Sequence, residues 1–171
     1  MSRIKPGEKV PQNWFKPLDE EIWPGGNLSG PEFYMVIVFR GVQCSHCKKQ
    51  LIDFNSRMKE FYQRNIEVIA VSADTKERAE RAKNDWGLTN LRIGYALSLE
   101  DARKMGLYIS EANKDSEMPK FSEPGIFLIK PEQTLFAVWL ASYPFARPQI
   151  DELLRCIDFS VERNQAPRGM A

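Results

Sequence analysis

Apolar residues fall along this chain in two rhythms, short unbroken runs and stripes at steps of three and four, and their alternation predicts a sheet flanked by helices. Val36, Ile37, Val38 and Phe39 form a β-branched and aromatic run suited to a strand buried on both faces, predicted near 34–40 and broken by Arg40 and Gly41. Cys47, Leu51, Phe54, Met58 and Phe61 recur at steps of four and three, one face of an amphipathic helix over 45–64. I-E-V-I-A-V over 66–71 reads as a second buried parallel strand and completes a βαβ unit. Asp74 or Thr75 can cap a charged helix running to about Trp86, with Gly87 where a helix-ending glycine belongs. A short strand near 92–96 and a helix from about Leu99 to Met105, closed by Gly106, continue the pattern. The polar stretch 110–122 predicts a mobile loop. Pro124-Gly125 then introduces I-F-L-I-K and T-L-F-A-V-W-L, a hairpin turning at Pro131-Glu132-Gln133 with its second strand at a sheet edge. In the final helix Pro148 suits the first turn, and Ile150, Leu153, Leu154, Ile157 and Val161 form the apolar stripe.

The start of the chain breaks these rhythms. Pro6, Pro11, Pro17, Pro24 and Pro31 with the Gly25-Gly26 pair make residues 1–31 an extended N-terminal arm with at most short strands. Residues 32–164 form one domain and 165–171 an irregular tail, since 171 residues sustain one well-buried core. The 24 Lys and Arg against 23 Asp and Glu give no electrostatic case for nucleic acid or an anionic membrane. A small molecule or another protein is the expected partner. No apolar run approaches the ~18 residues of a membrane span and the first residues lack an apolar signal region, so a cytoplasmic protein is expected.

Candidate chemistry gathers where the first strand meets its helix. Cys44 and Cys47 are spaced Cys-x-x-Cys, with Cys44 at the predicted helix N-terminus, where unpaired N–H groups and the helix dipole favour a thiolate. Positions i and i+3 lie on one side of a helix start, close enough for a short disulfide. Cys47 falls on the buried stripe, so Cys44 is expected to attack and Cys47 to resolve. His46, the chain's single histidine, stands between them as a donor or cation that could lower the Cys44 pKa. Two blander readings compete. A structural metal site needs about four ligands, and outside this segment the chain offers only Cys156 and no further histidine. Simple packing of buried cysteines is the other, and packing also explains Cys156 better than a distant resolving role does. Three cysteines exclude a disulfide scaffold. Lys48, Lys49, Arg57 and Lys59 read as a solvated helix face.

The pattern as a whole resembles the thioredoxin-like superfamily, and within it the alkyl hydroperoxide reductase/thiol-specific antioxidant (peroxiredoxin-like) family with a Cys-x-x-Cys site. K-P-G-E-K-V-P, V-I-V-F-R-G-V-Q-C-S-H-C, V-I-A-V-S-A-D, F-S-E-P-G-I-F-L-I-K and P-F-A-R-P-x-I-D-E-L-L carry the likeness over most of residues 4–169. It implies an α/β thioredoxin-like fold, a central mixed β-sheet flanked by helices, with the site at the C-terminal end of the first central strand. The implied activity is thiol-dependent oxidoreduction, as a peroxiredoxin-like antioxidant or in thiol-disulfide exchange, cycling a Cys44–Cys47 redox-active disulfide without a cofactor. A peroxide or disulfide would be the substrate and a thiol, a thioredoxin-type protein or glutathione, the reductant. The likeness also allows a homodimer.

Several positions depart from the pattern. The peroxiredoxin signature Pro-x-x-x-Thr-x-x-Cys places its attacking cysteine on Cys47 but its threonine on Cys44 and its proline on Arg40, so in that register Cys47 attacks and Cys44 resolves. The family's arginine before the late strand falls on Pro124, which matches instead the cis-proline position of thioredoxin-type enzymes, a substrate loop. Arg147 is the candidate replacement as thiolate or peroxide stabiliser. Gln43 and Val38 stand where thioredoxins carry Trp and a buried Asp, and Glu123 is placed to bring a negative charge towards Cys44. A non-catalytic thioredoxin-like binding module is the rival from another class, opposed by the intact Cys-x-x-Cys.

Overall fold

A computed structural model of the chain describes residues 2–25 and 30–171. Six strands form the main sheet: β1 (Lys16–Pro17), β2 (Phe33–Val38), β3 (Ile66–Val71), β4 (Arg92–Tyr95), β7 (Gly125–Ile129) and β8 (Leu135–Leu140), in the order β1-β4-β3-β2-β7-β8. β2, β3 and β4 run parallel while β1, β7 and β8 pair antiparallel to their neighbours, the mixed sheet expected. β2 is central and buried along its whole length, because successive side chains must serve two opposite faces. Phe33, Met35, Ile37 and Phe39 enter one core layer, with α1 (Ser45–Ser56), α2 (Met58–Gln63), α3 (Lys76–Asp85) and α5 (Ile150–Glu162). Tyr34, Val36 and Val38 enter the other, where α4 (Leu99–Lys104) packs beside Val10, Trp14 and Phe15 from the first residues. The segment 1–31 thus contributes β1 and three buried side chains to the second layer. Gly26 of the predicted Gly25-Gly26 turn lies outside the described residues. Among the described residues no helix is long and apolar enough to cross a membrane.

Three parts of the chain differ from the sequence expectation. The 45–64 helix is two helices meeting at Arg57 (φ −114°, ψ 13°). Ser56 Oγ donates to the Asp53 carbonyl at 2.7 Å, the kind of local side-chain bond that competes with the helical ladder. The predicted loop 110–122 contains a small antiparallel pair, β5 (Ile109–Glu111) with β6 (Lys120–Ser122), anchored by the buried Phe121. Phe121 and the half-buried Ile109 are too few to show as a pattern. Pro148 precedes the α5 cap at Gln149 rather than occupying the first turn. Val161 is exposed, and Ser160, its hydroxyl on the Cys156 carbonyl at 2.6 Å, takes the buried position at that end of the stripe.

Candidate active site

The thiol pair sits where the chain leaves β2 for α1. Cys44 has extended backbone (φ −91°, ψ 108°) and is the N-cap of α1, its Sγ accepting the Cys47 N–H at 3.2 Å. A sulfur thereby does the work usually given to a Ser or Asp oxygen, satisfying a helix-end donor that would otherwise lack a partner. Cys47 is fully buried, as its place on the apolar stripe led one to expect, while Cys44, expected to be the more exposed thiol, is only 3% exposed. The pair is reduced, with all three cysteines free.

Arginines approach the sulfurs from both ends of the domain. Arg147, on the segment between β8 and α5, donates from Nη2 to Cys47 Sγ at 3.2 Å and reaches Cys44 Sγ at 3.8 Å. Its Nη1 donates to Gln50 Oε1 at 2.7 Å and its Nε to the Pro144 carbonyl at 2.8 Å. Arg40, directly after β2 and Phe39, donates its backbone N–H to Cys47 Sγ at 3.4 Å. The Arg40 guanidinium pairs with Glu123 at 3.1 Å and Glu117 at 3.7 Å and lies over the Phe121 ring. Glu123, bonded also by the Ser110 hydroxyl at 2.8 Å, is therefore engaged by Arg40.

These surroundings separate the two thiols. The Cys47 thiol's hydrogen bond, the Cys47 backbone N–H, Arg40 and the positive field of Arg147 outweigh burial and lower the Cys44 pKa from the ordinary value near 9 to about 5. Burial first, and then the neighbouring Cys44, push the Cys47 thiol up. Ionisation is thus favoured at Cys44 and opposed at Cys47.

The other residues singled out in the sequence are placed unevenly. His46 is exposed and packs its ring on Phe145, centroids 4.2 Å apart, and the leading groups that lower the Cys44 pKa are Cys47, Arg40 and Arg147. Pro124 follows a trans peptide bond; among the described residues the cis bond is Trp23–Pro24, which corrects the cis-proline expectation. The Pro124 carbonyl accepts the Ala141 N–H at 3.0 Å, tying β7 to the end of β8, a backbone role a trans proline fills. Pro124 also lines a cavity of about 600 Å³ with Gln50, Arg147, Ile126 and Trp139. Cys156 is half-buried on α5 and lines a different cavity.

Sequence reasoning passed over the residues that hold the turn 40–43. Asp74, buried after β3, accepts the Val42 N–H at 2.8 Å and Arg78 Nε at 2.8 Å. Arg78 continues to Gln43 Oε1 at 2.7 Å and the Ser116 carbonyl at 2.9 Å. Gly41 has φ +140°, and a Cβ there would meet Gln43 and Asp74 within about 3 Å. Asp74 stood in the quoted V-S-A-D, where it read only as a helix cap. Thr75 does that capping. A buried acid between a strand and a helix it does not cap was the available signal.

A dithiol at the start of the helix that follows the central strand of a mixed sheet defines a thioredoxin-like thiol protein. The AhpC/TSA family model matches residues 6–138, and the chain belongs to that family. A thioredoxin peroxidase of Trypanosoma brucei rhodesiense is 29% identical over 117 residues, 65% of this chain; the chain spans only about half, 55%, of that relative. Among solved structures, the fold matches a peroxiredoxin 6 of Arenicola marina with a TM-score of 0.74 at 21% identity, covering 95% of this chain and 76% of that one. A peroxiredoxin-like protein of Aquifex aeolicus matches with a TM-score of 0.73 at 18% identity, covering 93% and 89%.

Proposed function

We propose that this protein is a thiol-dependent peroxidase that cycles the Cys44–Cys47 pair between dithiol and disulfide. The observation that carries the reading is the Cys44 sulfur capping α1, on the Cys47 N–H at 3.2 Å and within 3.8 Å of Arg147 Nη2. The Cys44 thiolate attacks one oxygen of a hydroperoxide, forming an S–O bond as the O–O bond breaks, and the leaving alkoxide takes a proton from the Cys47 thiol. Cys47, now a thiolate, attacks the Cys44 sulfenic acid; the disulfide forms and hydroxide leaves as water after taking a solvent proton. A dithiol reductant then returns both sulfurs to the reduced state, itself becoming a disulfide. The net reaction converts hydroperoxide and dithiol to alcohol, water and disulfide. The trypanosomal relative's name supports a thioredoxin-type protein as the dithiol. A reducing compartment, the cytoplasm expected from the sequence, would keep the resting pair as thiols.

A specific observation favours a second register. Arg147 lies closer to Cys47 (3.2 Å) than to Cys44 (3.8 Å), and the Arg40 N–H also points at Cys47. Cys47 would then attack and Cys44 resolve, as in the peroxiredoxin signature. We favour Cys44, because burial opposes charge on Cys47. Peroxide consumption and disulfide reduction, measured side by side on wild type, Cys44→Ser and Cys47→Ser with sulfenic acid trapping, test both. Cys47→Ser should form a trappable sulfenic acid on Cys44. Rapid sulfenic acid formation at Cys47 in Cys44→Ser would reverse the roles, and no peroxide consumption by wild type with any dithiol would refute the peroxidase reading.

A further inference from the structure

The N-terminal arm and the C-terminal tail meet beside β8, the edge of the main sheet, and a cavity lies beneath them. Gly7 donates its N–H to the Leu135 carbonyl at 2.7 Å and the Glu8 carbonyl accepts the Leu135 N–H at 2.9 Å, so the arm pairs with the start of β8. The cavity, about 710 Å³, lies between residues 2–6, the rest of β8, α5 and residues 165–169, and has the size of a small-molecule site. The tail closes it against the arm, with Met170 beside Gly7 and Gly169 beside Pro6. Its wall is apolar: Phe136, Val138 and Trp139 come from β8, and Phe159, 51% exposed, from α5. The charge around it has one sign. Lys5 and Arg168 line it, and among the described residues neither makes an ion pair within 4.0 Å. Arg3 lines it too, with its side chain laid against Gly106. No Asp or Glu lines it, in a chain with 24 Lys and Arg against 23 Asp and Glu. The nearby Glu8 carboxylate accepts the Lys5 backbone N–H at 2.8 Å and lies outside the lining.

We propose that this cavity binds the monomeric anion of a long-chain fatty acid, with its chain on the β8 and Phe159 wall and its carboxylate at Lys5 and Arg168. A wholly apolar ligand would leave both cations without a partner, and a short polar anion would leave the wall against water. Long cationic side chains lay their stems along apolar surface and keep their heads towards water, so the same two residues extend the wall and hold the head group. The arginine adds a fork that matches a carboxylate. Cys156, half-buried in the wall and unused by the thiol cycle, is a built-in reporter of occupancy. The cavity beside Arg147 shares only Val138 and Trp139 with this one, so the proposal stands apart from the peroxidase reading. The sequence does not reveal the site, because an edge strand reads as apolar whether another strand or a ligand covers it.

Calorimetric titration of the reduced protein with laurate, below its micellar concentration, tests the proposal beside maleimide labelling of Cys156 resolved by mass spectrometry. One laurate should bind per chain and slow the labelling of Cys156 severalfold, with the labelling of Cys44 unchanged. Each methylene added from octanoate to laurate should tighten binding by up to about fourfold. Lys5 and Arg168 are exposed, and the double variant Lys5→Glu, Arg168→Glu should weaken laurate by about tenfold while binding dodecyltrimethylammonium more tightly than wild type does. Phe159→Ser should weaken laurate by about fivefold. No binding of laurate, binding that leaves Cys156 labelling unchanged, or equal affinity of wild type for laurate and dodecyltrimethylammonium would overturn the proposal. So would wild-type affinity in the double variant, or binding to phosphatidylglycerol vesicles without binding of laurate. Should the double variant fail to fold, Lys5→Gln and Arg168→Gln with unchanged affinity would overturn it in the same way.

Discussion

Arg40 and Arg147 reach the same pair of sulfurs, yet they have different tasks. Arg40 is shared between Cys44, whose pKa it lowers, and the carboxylates of Glu123 and Glu117. Arg147 is held by neutral oxygens and is the cation with charge left for a thiolate or for a developing alkoxide. We therefore expect Arg147→Ala to raise the pH at which Cys44 ionises and to lower peroxide turnover by about 10²-fold, the usual effect of losing one preorganised donor. Alkylation against pH and steady-state peroxide consumption check the two halves. His46→Ala should move neither by a comparable amount, because the ring rests on Phe145. A His46→Ala shift as large as that of Arg147→Ala would restore the role its position between the cysteines suggested.

At the scale of elements, the turn 40–43 and the start of α3 meet at neighbouring residues with separable tasks. Thr75 caps α3 by accepting the Arg78 N–H at 3.3 Å, whereas Asp74 holds the Val42 N–H and the Arg78 guanidinium. Thr75→Ala should cost about 1 kcal/mol of stability and leave the thiols alone. Asp74→Ala leaves buried donors unmet, worth roughly 1–3 kcal/mol, and should also slow alkylation of Cys44 by loosening the turn that positions it. Urea unfolding and alkylation rate on both variants separate the two effects. Equal alkylation rates would show that the turn does not need Asp74. The same contrast explains what was legible in the sequence. Strands and helices with a repeating apolar period, such as Ile66–Val71 and the stripe through Leu51 and Phe54, announce themselves because burial imposes the period. The Cys-x-x-Cys at a helix start was legible for the same reason. Arg40, Asp74 and Gln50 were not, since each acts through a partner distant in sequence, and a single polar contact leaves no period. Ser56, which breaks the long helix, is equally invisible to a hydrophobic pattern.

For the whole molecule, an ionised thiol at a helix start links folding to pH. An unfolded Cys44 would titrate near 9, whereas the folded residue titrates at about 5. A depressed folded value means that the stabilisation is complete above the unfolded pKa, declines as pH falls below 9, and is gone once pH has dropped through the folded value. The raised Cys47 value has the opposite sign: its contribution is complete below 9 and is lost at higher pH. Between about 5 and 9, then, the slope belongs to Cys44. Wild type should gain stability relative to Cys44→Ser as pH rises through that window, by less than the ~1.4 kcal/mol per pH unit of one uncoupled proton, because the site is partly screened and the two thiols share their proton. Above 9 the difference should stop growing, because Cys44 is then ionised in the unfolded chain as well. Urea unfolding under reducing conditions at a series of pH values measures the difference directly, and the titrations of surface carboxylates cancel between the two proteins. A difference that stays flat across the window would mean that Cys44 is a neutral thiol in the folded protein, and the peroxidase cycle would lose its nucleophile.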